Sequence, residues 1–174
     1  MTSAVPSLAT YVTTIAKLKM SAFPPAECEV PLAEASVLAD TCLESLFTSF
    51  DKINKTHKFK GDLGFCYKTA YHIAAEDPDY IYCEGYATSE QLNIPLLHAW
   101  CVHRKSKEVY DGVWNTKKTS GNAYCGLPLN LDFVTDLILS TKRYGVIDNL
   151  WSQKEFLSLP IRDIVHPEFH NIIL

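Results

Sequence analysis

Leu96-Leu97-His98-Ala99-Trp100-Cys101-Val102-His103-Arg104 and Lys107-Glu108-Val109-Tyr110-Asp111-Gly112-Val113-Trp114, joined at Lys105-Ser106, decide the fold. Both runs are rich in aliphatic and aromatic residues and are separated by a short polar pair, the pattern of an antiparallel hairpin. Side chains alternate across a strand, so Leu96, His98, Trp100 and Val102 share one face. A two-residue turn sets Arg104 opposite Lys107, and therefore Trp100 opposite Asp111 and His98 opposite Val113. Asp111 then lies on the His98 face, one diagonal step away and within side-chain reach. A three-residue turn would reverse the parity, so the turn decides whether the two side chains can meet.

Upstream, Gly64-Phe65-Cys66-Tyr67 leads into a predicted helix, Phe65 to Ala75. Ala70, Ile73 and Ala74 fall on its inward stripe, and Asp77-Pro78 closes it. A cysteine is a nucleophile only as the thiolate, and the exposed N–H groups and dipole of a helix start favour that form. Gly64 is expected to let the backbone approach a substrate closely. The Cys66 amide is then a candidate oxyanion donor. An aspartate accepting from one imidazole nitrogen of His98 fixes the tautomer and leaves the other nitrogen for the thiol. Taken singly, Cys66 reads as a small buried hydrophobe, His98 as a core histidine and Asp111 as a turn residue. Together, in this order, they form one site.

The remaining periodicities place helices at Ser7 to Leu18, from Pro31 through Leu38, Cys42, Leu46 and Phe50, and at Leu131 to Thr141, with a short one at Trp151 to Leu157. Tyr80 to Ala87 reads as a strand. Ile53 to Gly64 and Thr116 to Asn122 read as polar loops, and the tail from Ile161 to Leu174 has no clear period. This is an α+β chain of one domain: a helical front (1–60), a core (61–115) and a C-terminal extension (116–174).

At 174 residues, 47% hydrophobic and 21% charged, the chain has the composition of a globular domain that needs no staples. A net charge of −4 without a Lys/Arg run argues against nucleic acid. No apolar stretch approaches the roughly 20 residues of a membrane span, and no signal peptide is evident at the start. Six cysteines without a CxxC spacing are expected to be reduced thiols in a cytoplasmic protein.

The residues from Gly61 to Trp114 resemble the transglutaminase-like superfamily, within the papain-like cysteine enzymes. Cys66 matches the nucleophile at a helix start, Glu84-Gly85-Tyr86 resembles the intervening strand, His98-Ala99-Trp100 matches the histidine motif and Asp111 the third member. The resemblance implies a nucleophile-bearing helix packed on an antiparallel sheet. It also implies acyl transfer through Cys66, His98 and Asp111, acting on an amide or ester of a peptide, a protein or a small molecule. The acyl group would pass to water or to an amine. Two alternatives are a non-catalytic binding module on the same fold and a small-molecule acyltransferase, since the triad order also resembles arylamine N-acetyltransferases, which use acetyl-coenzyme A.

Phe65, Trp100, Trp114 and Tyr124 are the candidate substrate contacts, although aromatics in strands are more often core. Gly121 to Pro128, which carries Tyr124, reads as an ordinary connection rather than a loop over the site. Asn54 and His57 are candidate second oxyanion donors, with a solvated loop the stronger reading. His98, Cys101 and His103 do not share one strand face, so no metal is expected, and no cofactor.

Overall fold

The computed structural model describes residues 10, 46–55, 59–91, 94–116, 119–147 and 159–173. Tyr80–Ser89 (β2) is buried along its whole length, which places it at the centre of a sheet covered on both faces. Its neighbours are Leu96–His103 (β3) and Thr119–Pro128 (β6), both antiparallel to it. Thr48–Phe50 (β1) pairs with the outer side of β6, and Val109–Tyr110 (β4) with the outer side of β3. The order is β1-β6-β2-β3-β4, with Asn115–Thr116 (β5) forming a small hairpin with β6.

The sheet curls, and one stretch of chain accounts for it. Just after β1 has paired with β6 at one edge, Ile53 bridges Val109 in parallel at the opposite edge. The Val109 amide donates to the Lys52 carbonyl at 2.7 Å, and the Asn54 amide to the Val109 carbonyl at 2.9 Å. Residues 48–54 thus satisfy backbone groups on both edges.

Cys66–Glu76 (α1) packs on β2 and β3. Ala70, Ile73 and Ala74 are buried, and the Cys101 thiol donates to the Ala70 carbonyl at 3.2 Å. Burying Ile73 alone contributes about 2 kcal/mol. Leu131–Thr141 (α2) has the expected bounds. Asn130 caps it by accepting from the Asp132 amide, Lys142 ends it at φ 58°, and Val134 and Leu137 face the core. Tyr71 Oη and Thr135 Oγ1, 3.2 Å apart, tie α1 to α2. Ile161–Ile164 (α3), a 3-10 turn at Pro167–Phe169 and His170–Ile173 (α4) give the tail regular structure. Ile161, Ile164, Val165 and Phe169 join the main core. Among the described residues no helix is long and apolar enough to cross a membrane.

The hairpin has the expected register: Cys101 opposes Tyr110 and Val102 opposes Val109. The His103 amide donates to the Glu108 carbonyl at 2.9 Å, so the pairing runs on to Glu108 and four residues, Arg104 to Lys107, make the turn in place of the expected two; Lys107 is at φ 57°, and the even length preserves the parity. The second strand is much shorter than Lys107 to Trp114. It ends at Tyr110 because Asp111 Oδ1 accepts from the Val113 and Trp114 amides at 2.8 and 2.9 Å, curling the chain into a side-chain-capped turn.

Three other expectations are corrected. The polar loop placed at Thr116 to Asn122 and the ordinary connection placed at Gly121 to Pro128 are instead largely β6, a ten-residue internal strand. Its turn-type composition misleads: a side chain at Gly126 would strike the Glu84 carbonyl and the Trp100 ring, so the glycine serves close packing. The helix expected to run to Phe50 gives way to β1 at Thr48. Gly64 has φ +87° with no atom within 4 Å of an added Cβ, so it serves a left-handed turn rather than a close approach. The helices read at Ser7 to Leu18 (Thr10 excepted) and Trp151 to Leu157 lie outside the described residues, as does residues 31–45 of the second helix.

Candidate functional site

His98 projects from β3 on the face opposite Ala99 and Cys101. Its Nε2 lies 2.6 Å from Asp111 Oδ2, and both side chains are 3% exposed. Asp111 is fully engaged. Oδ1 takes the Val113 and Trp114 amides, and Oδ2 takes His98 and the Tyr124 hydroxyl at 2.8 Å. Trp114 stacks on the imidazole, with centroids 4.0 Å apart and planes 15° from parallel. The ring is therefore fixed in position at one nitrogen and along one face.

Charge follows from this geometry. Burial pulls the His98 pKa down, but the Asp111 charge, the Asp111 hydrogen bond and then Cys66 outweigh it and push it up to about 9. For Asp111, burial acts upward, and the His98 charge and bond with the Trp114 and Val113 amides bring the net shift below the ordinary carboxylate value. Tyr124 is raised by burial and then by the Asp111 charge, so its hydroxyl keeps its proton and donates.

Cys66 is the first residue of α1 and half-buried. It is among the neighbours that raise the His98 pKa, behind Asp111. With Nε2 committed to Asp111, Nδ1 is the nitrogen left for the thiol. Phe65 occupies the cap position and makes no side-chain cap bond, so no capping side chain competes for the first amides of the helix. The three residues read as one site thus converge from α1, β3 and the turn after β4.

No protein-family model, curated protein or solved structure matches the chain. What the arrangement can do chemically follows from its own atoms: a thiol at a helix start, an imidazole able to carry a proton, and a carboxylate that fixes that imidazole.

The four candidate substrate contacts divide. Phe65 is 57% exposed beside Cys66 and borders a surface groove of about 380 Å³ along α1 that includes Asp62, Lys68 and His72. Trp114 is half-buried against His98. Trp100 and Tyr124 are 0% and 2% exposed, so they are corrected from substrate contacts to buried supports behind the histidine. Asn54 is corrected from oxyanion donor to structural bridge, since its Nδ2 donates to Glu108 Oε2 at 3.1 Å and to Tyr110 Oη at 2.7 Å. His57 lies outside the described residues. Among the described residues no three His, Cys, Asp or Glu side chains are grouped to hold a metal. Their four cysteines, Cys66, Cys83, Cys101 and Cys125, are free.

Glu84 is the important residue that the sequence reading passed over. It is 0% exposed. It accepts from the Tyr82 hydroxyl at 2.6 Å and from the Val146 and Ile147 amides at 2.7 and 3.0 Å. The adjacent Gly145, at φ +102°, lies against the Tyr67 ring next to Cys66. The available signal was a lone acid inside the apolar run Tyr80 to Ala87, since a charge in a buried strand must be held by donors.

Proposed function

We propose that the chain is a cysteine-dependent acyl-transfer enzyme built on a papain-like, transglutaminase-like arrangement. The observation that carries this reading is the buried 2.6 Å bond between His98 and Asp111, supported by the place of Cys66 at a helix start. In the mechanism, the thiol proton rests on His98 Nδ1 and the Cys66 sulfur attacks the carbonyl carbon of an amide or ester. The carbonyl electrons move to oxygen, where the Cys66 amide is the candidate donor. They return as the C–N or C–O bond breaks, and His98 protonates the departing amine or alcohol, leaving a thioester. His98 then takes a proton from water or an amine, which attacks the thioester and releases an acid or a new amide, with Cys66 leaving as thiolate. Asp111 keeps one tautomer and one orientation throughout. The substrate class is a peptide, a protein or a small amide, and reduced thiols suit a cytoplasmic setting.

Burial of His98 beneath Trp114 favours a second reading, a binding module that retains the triad without turning over. Incubation with p-nitrophenyl acetate separates the two. The enzyme reading expects a burst of p-nitrophenol and an acetyl group on Cys66 that is absent in Cys66→Ala. Acetylation spread over surface lysines with Cys66 unmodified supports the binding module and overturns the enzyme reading.

A further inference from the structure

Tyr124 reaches Asp111 from the far side of the central strand. His98 stands opposite Gly85 of β2, and Tyr124 opposite Ala87. A Cβ at Gly85 would lie 2.3 Å from the Cys125 carbonyl, so β6 approaches β2 closely there, and a group from β6 reaches the partner of a β3 side chain. The phenol is buried, with its ring 5.1 Å from Trp100 and its hydroxyl 2.8 Å from Asp111 Oδ2. A Cβ at Gly121 would lie 1.7 Å from that hydroxyl, so the glycine keeps the space that the oxygen occupies. A phenylalanine would fill the same core without burying a polar atom, whereas a buried hydroxyl is favourable only with a partner. Here the partner is the same carboxylate oxygen that binds His98.

We infer that Tyr124 is a positioning residue and a fourth member of the relay: by donating to Asp111 Oδ2 it draws charge from that carboxylate and sets the protonation range of His98. The titratable groups packed around the pair are Cys66 from α1, Cys101 from β3 and Tyr124 from β6. Cys101 points to the α1 side, with its thiol on the Ala70 carbonyl, and no hydrogen bond joins it to Asp111. Tyr124 is thus the neighbour that shares the Asp111 oxygen with His98. Without its hydroxyl the carboxylate charge falls more fully on the imidazolium, and His98 holds its proton to higher pH. The inference rests on the thiol reading only for its meaning in catalysis; the effect on His98 stands without it.

The test is an NMR titration of the His98 imidazole in the wild-type chain and in Tyr124→Phe. The expected result is a gain in proton affinity of His98 of about 2- to 10-fold in the variant, less than the full worth of a hydrogen bond to a charged group because the phenol acts on His98 only through Asp111. Gly121→Ala, which displaces the hydroxyl, is expected to move His98 in the same direction. A His98 midpoint that is unmoved or lowered in Tyr124→Phe overturns the inference. If neither variant folds, the wild-type chain decides: the Tyr124 Cζ resonance is expected to inflect with the His98 titration, and an independent course overturns the inference. Iodoacetamide labelling of the wild-type chain runs alongside. A Cys66 no more reactive than Cys125 would sink the acyl-transfer reading while leaving the His98 result to decide the role of Tyr124.

Discussion

Among the described residues two carboxylates are buried, Glu84 within β2 and Asp111 in the turn after β4, and they share a pattern of donors. Asp111 takes two backbone amides, Val113 and Trp114, and one phenol, Tyr124. Glu84 takes two backbone amides, Val146 and Ile147, and one phenol, Tyr82. Asp111 is in addition bound to an imidazole: His98 shares its Oδ2 at 2.6 Å. Glu84 therefore works as an anchor, fixing the 145–147 segment against the helix that bears Cys66. Asp111 does the same for the 111–114 turn and in addition controls a group that changes charge.

The largest expected effect separates the two acids by function. His98→Ala is expected to slow iodoacetamide alkylation of Cys66 by about 100-fold or more, the usual scale of a lost general base. Glu84→Gln is expected to leave that rate within a few-fold, and an equal loss in both variants would erase the distinction. Stability should make the two acids alike. Removing either carboxylate by alanine substitution strands two buried amides and a phenol and is expected to cost about 3 kcal/mol or more, read from urea unfolding. A loss well under about 1 kcal/mol for either would show that its amides find other partners.

The pH dependence is expected to part them again. His98 is raised from its ordinary 6.5 to about 9, so its contribution is complete below about 6.5 and disappears as pH rises through about 9. Asp111 is lowered from 3.8, so its contribution is complete above that value and is lost as pH falls through its folded pKa. The pair is thus most stabilising between about 4 and 6.5, and unfolding free energy should decline on the alkaline side. Asp111→Asn should flatten that alkaline decline, whereas Glu84→Gln should keep it. The smallest effect belongs to Trp114→Phe, which retains a ring on His98 and is expected to cost about 1 kcal/mol or less.

The hairpin register was legible because it depends only on parity, and Arg104 to Lys107 keeps the loop even. The inward stripe of α1 and the bounds of α2 were legible from their 3.6-residue periods. β6 was hidden because Gly121, Gly126 and Pro128 are turn-type residues used here for close packing, a tertiary cause that no local pattern carries. Phe50 followed a helical spacing but is held in β1 by pairing with Tyr124, a partner distant in sequence. The His98–Asp111 contact was readable from strand parity, but the buried supports around it were not. Tyr124 lies on the strand taken for a connection, and Glu84, though a lone acid in an apolar run, is held by Val146 and Ile147, which are distant in sequence.

The central claim is that His98 activates Cys66, and competitive alkylation tests it most directly. Limiting iodoacetamide is added near neutral pH, and modification is mapped at Cys66, Cys83, Cys101 and Cys125 in the wild-type chain and in His98→Ala. The account expects Cys66 to react first and by a wide margin, and that margin to collapse in His98→Ala. Equal reactivity of Cys66 and Cys125 in the folded wild-type chain, or a Cys66 rate indifferent to His98, would contradict it.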